Sequence, residues 1–516
     1  MAVAFRADGR RIPAWVAIAA YAFVAAPLFL SVARVFSAAS AASEWHLWWP
    51  SVLLAAGSAS VALGLSVLGH WSLRPRAEAI SGPVVFAVAV ACALPSYVHA
   101  LTWSWVLPEG LLERRRLVAA CVLGITYAPV SFLALLVAFR AAPRQILEAA
   151  WLAGLAPLRA GLLVATRVVP AMMAVWLLAF LLGFSDFAVA DHFRVATYAT
   201  EIFARVAAWL DTAAAGRLAL PVLLTGTLAV TVLTRSFARA ELGTVAIAEH
   251  PTRRRGVPYV AGRVIAGLAF VALVAGVPIA ALVDRLPSAT LMISAVQALR
   301  PDLAETLTVG LVVGAVATIL GAALSYLGVR RIIRGARFVR VAAWAALAWP
   351  ASLVCLGAIS LGALPVARLW MTAWLPMIFV LALRWLVLSY EIWWSFWMRL
   401  PVSLEESCWL AGMPWWQASA RLLHWNGAVA FGSAVLLVAC FSINDLTVFA
   451  LLAPPGFSTT TLNIFSAVHY GPPGYLAALC LWQVILIAAL ATAAMLLLRR
   501  VPLGTSLPRR SADVAC

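Results

Sequence analysis

The chain has 516 residues, of which 64% are hydrophobic and only 11% charged, against about 25% charged in an ordinary soluble protein. A mean hydropathy of +0.98 over the whole length excludes a water-soluble enzyme and places most side chains in lipid or against other buried helices. The net charge is +17 and the 37 basic residues are all arginine, so the chain can carry neither a P-loop nor a lysine-linked pyridoxal or retinal group.

Runs of about 20 apolar residues bounded by arginines or by Gly/Pro clusters mark membrane spans. They predict twelve, near 13–34, 50–72, 83–107, 117–139, 168–190, 218–237, 264–284, 304–328, 341–363, 369–390, 427–452 and 475–498. The expected fold class is an all-α polytopic membrane protein. The first span follows Arg6, Arg10 and Arg11; it is longer than the roughly 7–15 residues of a signal-peptide core and reads as an uncleaved signal anchor. Arginine excess marks the cytoplasmic side. With the N-terminus there, the clusters at Arg253-Arg254-Arg255, from Arg330 to Arg340, and at Arg499-Arg500 all fall inside, and both termini are cytoplasmic. Arg114-Arg115-Arg116 fall in a short outer loop of this topology, where Glu109 and Glu113 are the available partners, unless the third and fourth spans are drawn wrongly. The arginines follow loop topology and form no single basic patch, so no nucleic acid is expected as a partner.

The seven cysteines lie far apart with no C-x-x-C pair, and the seven histidines have no i, i+4 pair on a helix face. No metal site is expected from that spacing.

An internal repeat organises the chain. Glu148-Ala149-Ala150-Trp151-Leu152-Ala153-Gly154 recurs half a chain later as Glu406-Ser407-Cys408-Trp409-Leu410-Ala411-Gly412. Each copy precedes an apolar span ending in a related segment, Phe184-Ser185-Asp186-Phe187-Ala188-Val189 and Phe441-Ser442-Ile443-Asn444-Asp445-Leu446-Thr447-Val448. Further on, Ile202-Phe203-Ala204-Arg205-Val206 matches Ile464-Phe465-Ser466-Ala467-Val468. Three collinear matches predict two parallel six-helix halves, 1–240 and 263–516, joined by a cytoplasmic linker at 241–262.

The repeated segment falls in cytoplasmic loops, 141–167 and 399–425, that are long for simple turns. As helix, turn, helix, each places its glutamate in a first turn and its glycine at the φ > 0 position that ends a short helix. Trp151-Leu152 and Trp409-Leu410 then form an apolar knob, suited either to a groove on a partner protein or to the lipid headgroups. Recurrence at half-chain spacing favours the partner.

These residues carry a resemblance. The loops are similar to the EAA loop of the permease subunits of binding-protein-dependent ABC importers, with Glu, three intervening residues after the Ala-Ala pair, and Gly. The fused two-half arrangement resembles the ferric iron, thiamine, phosphonate and polyamine branch. Leu94-Pro95-Ser96 through Trp103, Ser185-Asp186-Phe187 and the stretch from Thr306 to Arg330 add to the likeness. The second copy departs from it, with Glu-Ser-Cys for Glu-Ala-Ala and Trp425-Asn426 where a proline is usual. The resemblance implies a bacterial inner-membrane subunit without ATPase or other enzymatic activity, seated on two copies of a cytoplasmic ABC ATPase and fed by a periplasmic or lipid-anchored solute-binding protein. It implies no cofactor in this chain, the ATP being used by the partner. ATPase coupling would fall to Glu148, Ala149, Ala150, Trp151, Gly154, Glu406, Trp409, Leu410 and Gly412, and the transported solute would be ferric iron or a similar small solute.

Charges inside spans face a cavity or one another. Asp186 and Asp445 come late in their spans, near the outer end, and are candidates for the translocation path or a gate; the other reading is a pair of helix-end carboxylates bonded to backbone. Arg384 is expected to pair with Glu391 or to snorkel inward. Many of the 23 tryptophans sit near span ends, as interfacial belts do. A twelve-span secondary transporter of two parallel halves fits the same count and symmetry, although few ionisable residues stand at mid-span. A membrane-embedded transferase would use outer acids such as Asp191, Glu201 and Asp211, but leaves the repeat unexplained.

Overall fold

The computed structural model describes residues 33, 44–73, 87–88, 90–92, 94–140, 152–154, 157–208, 211–241, 257–330, 336–362, 374–414, 417–418, 421, 423 and 426–500. Among them there is no strand. The first-half helices are α1 (Trp48–Leu73), α2 (Ser96–Val106), α3 (Glu109–Leu112), α4 (Arg115–Arg140), α5 (Pro157–Ser185), α6 (Ala188–His192), α7 (Tyr198–Ala207) and α8 (Thr212–Glu241). α9 (Val257–Val271) runs through a π-helical turn, Ala272–Gly276, into α10 (Val277–Asp284). The wider turn comes just before Pro278, whose ring and missing N–H disturb the regular ladder. There follow α11 (Ala289–Val329), α12 (Ala336–Ala348), α13 (Ala351–Gly362), α14 (Leu375–Arg399), α15 (Val402–Leu410), α16 (Asn426–Ile443), α17 (Leu446–Leu452), α18 (Thr460–Tyr470) and α19 (Pro473–Arg500).

The protein is an all-α polytopic membrane protein: eight of the described helices are long and apolar enough to cross a membrane, or up to ten if each of two bent pairs counts as one span. The differences from the twelve expected spans have local causes. The span at 13–34 lies outside the described residues. In the stretch 83–107 the described residues 87–88 and 90–92 are helical, and a separate helix begins at Ser96, where Pro95 stands as N-cap and has no N–H to continue a ladder from the preceding turn. The stretch 341–363 is α12 and α13 at 109° to one another, broken at Trp349-Pro350, where proline disfavours helical backbone at the preceding residue. The stretch 427–452 is α16 and α17 bent by 69° around Asn444 and Asp445. The segment 304–328 is the second part of the 41-residue α11, which Ser288 caps by accepting from Leu291 N at 3.3 Å. Proline stands within α4, α5, α8 and α11, as membrane-spanning helices tolerate more readily than soluble ones.

The helices repeat their neighbours. α1 packs on α4 and α5, and α11 packs on α14 and α16; α5 packs on α8 and α16 on α19; α7 packs on α8 and α18 on α19. Small residues permit the closest approaches, as expected where packing in lipid replaces the hydrophobic drive. A Cβ on Gly124 of α4 would lie 2.9 Å from Ser58 O of α1, and one on Gly321 of α11 would lie 2.9 Å from Tyr390 N of α14. Contacts of α8 and α5 with α12, α7 with α13, and α2 with α10 join the two sets of helices.

Candidate functional site

The second loop begins at Pro401, directly after α14, and folds into α15. The helix starts at Val402, so the acid in its first turn is Glu405, not Glu406 as the sequence pattern placed it. Glu405 is buried and Glu406 is exposed. The helix ends in a Schellman arrangement: Met413 N donates to Cys408 O at 3.1 Å and Gly412 adopts φ 72°. A Cβ there would touch nothing within 4 Å, so the requirement for glycine is conformational. The turn leaves Leu410 89% exposed. Trp409 lies in α15, with its side chain outside the described residues. In the first copy Glu148, Ala149, Ala150 and Trp151 lie outside the described residues. Gly154 has φ 69° and Leu152 is 90% exposed, so the described end of the first copy matches the second.

Glu405 was not singled out by the sequence pattern, yet it anchors the loop. Arg330, at the C-terminus of α11, donates through Nε to its Oε1 at 2.8 Å and through Nη2 to the same oxygen. Nη2 also donates to Leu400 O at the end of α14, 3.0 Å away, and Tyr326 OH donates to Glu405 Oε2 at 3.2 Å. One guanidinium thereby holds α11, α14 and α15 together. The Glu405-Glu406 doublet was the available signal, since the first copy has Leu147 before its glutamate.

The two aspartates stand at helix breaks. Asp186 Oδ1 accepts from Val189 N at 2.9 Å, and Asp445 Oδ1 accepts from Val448 N at 3.4 Å. Both carboxylates therefore hold the start of the short helix after the break, with the i to i+3 spacing of an N-cap. Their second oxygens differ. Tyr127 OH donates to Asp186 Oδ2 at 2.7 Å, whereas Arg384 Nε lies 2.7 Å from Asp445 Oδ2. Arg384 occupies in α14 the place that Tyr127 has in α4, half a chain away. Its Nη1 donates to Trp349 O at 2.8 Å, at the break between α12 and α13, and its Nη2 reaches Ser185 Oγ at 3.5 Å. A single buried arginine thus ties three breaks together across both sets of helices.

This corrects the expected pairing of Arg384. Glu391 is two turns away along α14 and is taken by Arg340, whose Nε and Nη2 donate to its oxygens at 2.7 and 2.8 Å, and by Trp344 Nε1 at 2.9 Å. Side chains seven residues apart on a helix stand roughly 10 Å apart, and each of these found a nearer partner. None of the ion pairs among the described residues joins Arg114, Arg115 or Arg116 to Glu109 or Glu113.

Ahead of α1, Glu44 accepts from Arg205 Nη1 and Nη2, each at 2.8 Å, and Arg205 Nε donates to Glu201 at 3.1 Å. The hydrogen bonds and charge of Arg205 hold the Glu44 carboxyl below its ordinary range, so this pair's stabilisation is present above that range and fades as pH falls through the lowered value. Asp211 caps α8, accepting from Ala214 N at 2.8 Å. Glu201 and Asp211 are thus engaged in an ion pair and a helix cap. About 37 Å along α11 from Arg330, an open pocket of about 630 Å³ is lined by Glu305, Trp374, Ile378 and Phe457 among others, a size that takes a small molecule. Among the described residues there is no group of three or more His, Cys, Asp or Glu side chains placed to hold a metal. Comparisons with protein-family models, with curated proteins and with solved structures gave no match.

Proposed function

We propose that this chain is the membrane-spanning permease subunit of an ATP-driven importer of the ABC type, with two halves, 1–240 and 263–516, forming one translocation path. The observation that carries the reading is the pair of glycine-ended turns, half a chain apart, that present Leu152 and Leu410 at about 90% exposure. Such a side chain is a poor fit to water and a good fit to a partner's groove. In this reading two cytoplasmic ATPase copies seat on the two turns, a periplasmic or lipid-anchored binding protein delivers the solute, and both termini lie in the cytoplasm of a bacterial inner-membrane protein. Nucleotide-driven closure of the ATPases draws the turns together and reorients the helices; the chain itself performs no covalent chemistry.

The solute class rests on the resemblance alone: ferric iron first, then thiamine, phosphonates or polyamines. Asp186 and Asp445 add little to it, because both are engaged in capping and pairing. A role for them at a gate fits their place at the breaks. One observation favours the second reading, a secondary transporter of two parallel halves: Arg384, Asp445 and Asp186 form an ionisable cluster at interrupted helices, as coupling sites of carriers do.

The test is association. Coexpressed with an ATPase encoded beside it, the chain is expected to co-purify with that subunit in detergent. Leu152→Asp and Leu410→Asp should each weaken association by about tenfold or more, the size of an interface anchor, and together abolish it without lowering the yield of folded chain. Full association of the double variant would remove the coupling role of the loops.

A further inference from the structure

The two loops share their exposed ends, but the residues that anchor the second have no charged counterparts in the sequence of the first half. Ser325-Tyr326-Leu327-Gly328 in α11 matches Ser66-Val67-Leu68-Gly69 in α1, which sets Tyr326 against Val67 and Arg330 against Trp71; Glu405 stands against Leu147. All three members of the clamp on the second loop are thus replaced by apolar residues in the first half, where no ion pair can form from them. In the second half, Glu405 and the exposed Leu410 share the nine-residue α15, so a force on Leu410 is delivered to Glu405 through one short rigid helix. The side chains of Arg330 and Glu405 are 13% and 4% exposed, which shields the pair from solvent screening. Trp397 Nε1 donates to Ala322 O at 3.1 Å and its ring meets Tyr326 edge-on at 5.0 Å, which joins α14 to α11 just above the clamp.

We propose that the Arg330–Glu405–Tyr326 clamp makes the second loop the leading transmission element: movement of α15 passes through it to α11 and α14, whereas the first half has no charged counterpart of the clamp. This rests on the importer reading. Glu405 is a positioning residue, acting through Arg330 rather than on ATP or solute.

The experiment uses the full chain with its ATPase in nanodiscs, in a cysteine-free background, with spin labels at Val312→Cys on α11 and Leu228→Cys on α8. The probe is Mg-ATP with vanadate, and the readout is the distance change between the labels together with retention of the ATPase. The unmodified clamp should give a nucleotide-driven shift. Glu405→Gln should lose most of it with the ATPase still bound, Glu405→Asp should keep it by preserving the charge, and Glu391→Gln, which removes a different ion pair from α14, should leave it in place. A full shift in Glu405→Gln, or an equal loss in Glu391→Gln, would overturn the proposal. Absence of any bound ATPase in the starting protein would instead overturn the importer reading, and the clamp's role with it.

Discussion

Arg384→Met is expected to destabilise the protein by about 3–5 kcal/mol, the cost of removing one partner from a buried ion pair. The loss goes beyond the pair itself. Asp445 is left buried without its ion-pair partner, and the carbonyl of Trp349 loses its donor at the break between α12 and α13. Because asparagine caps helices as well as aspartate does, Arg384→Met with Asp445→Asn removes the orphaned charge while keeping the start of α17 in place. The double variant should therefore recover most of the stability that the single variant loses. Thermal unfolding in detergent, followed by tryptophan fluorescence, measures both. A single variant within about 1 kcal/mol of the parent, no more than one ordinary hydrogen bond, would mean that Arg384 does not tie the breaks together.

The second large effect is steric. On α11, Gly310 and Gly314 face α16, and a Cβ on Gly314 would stand 2.5 Å from Val435 O, a backbone atom that cannot rotate away. Gly314→Ala gains up to about 1 kcal/mol of helix propensity but forces two backbones apart, an overpacking cost of about 1–3 kcal/mol; the steric cost wins because the obstacle is backbone. Gly64→Ala is the matched control. A Cβ there meets nothing within 4 Å, so only the propensity gain remains and the variant should be as stable as the parent or more so. The same unfolding measurement decides between them, and equal midpoints for the two variants would contradict the packing of α11 on α16.

Apolar run length made the polytopic helical class legible, because lipid leaves few alternatives for a chain with so few charges. It could not reveal the bends at Trp349-Pro350 and at Asn444-Asp445, since hydropathy averages over a break that depends on one proline or one capping aspartate. The spacing Gly310-x-x-x-Gly314 was available as a helix-packing signal and marks the contact of α11 with α16. Gly154 and Gly412 were legible because a positive φ demands glycine by itself, without reference to the rest of the fold. Glu405 was not, because its partner Arg330 is 75 residues away and only the packing of α15 against α11 and α14 brings them together. Arg384 misled for the same reason: local spacing offered Glu391, while the fold offered Asp445.

On the importer reading, this chain carries ATPase subunits on its two repeated loops. Native mass spectrometry of the detergent-released complex, after coexpression with the neighbouring ATPase, tests it most directly. The account predicts one 55.0 kDa chain with two ATPase copies, falling apart to the chain alone when Glu148→Gln and Glu406→Gln are combined. A chain that runs free of any ATPase, or one whose complex is indifferent to both substitutions, would contradict it and turn the repeated loops into interfacial helices of a secondary transporter.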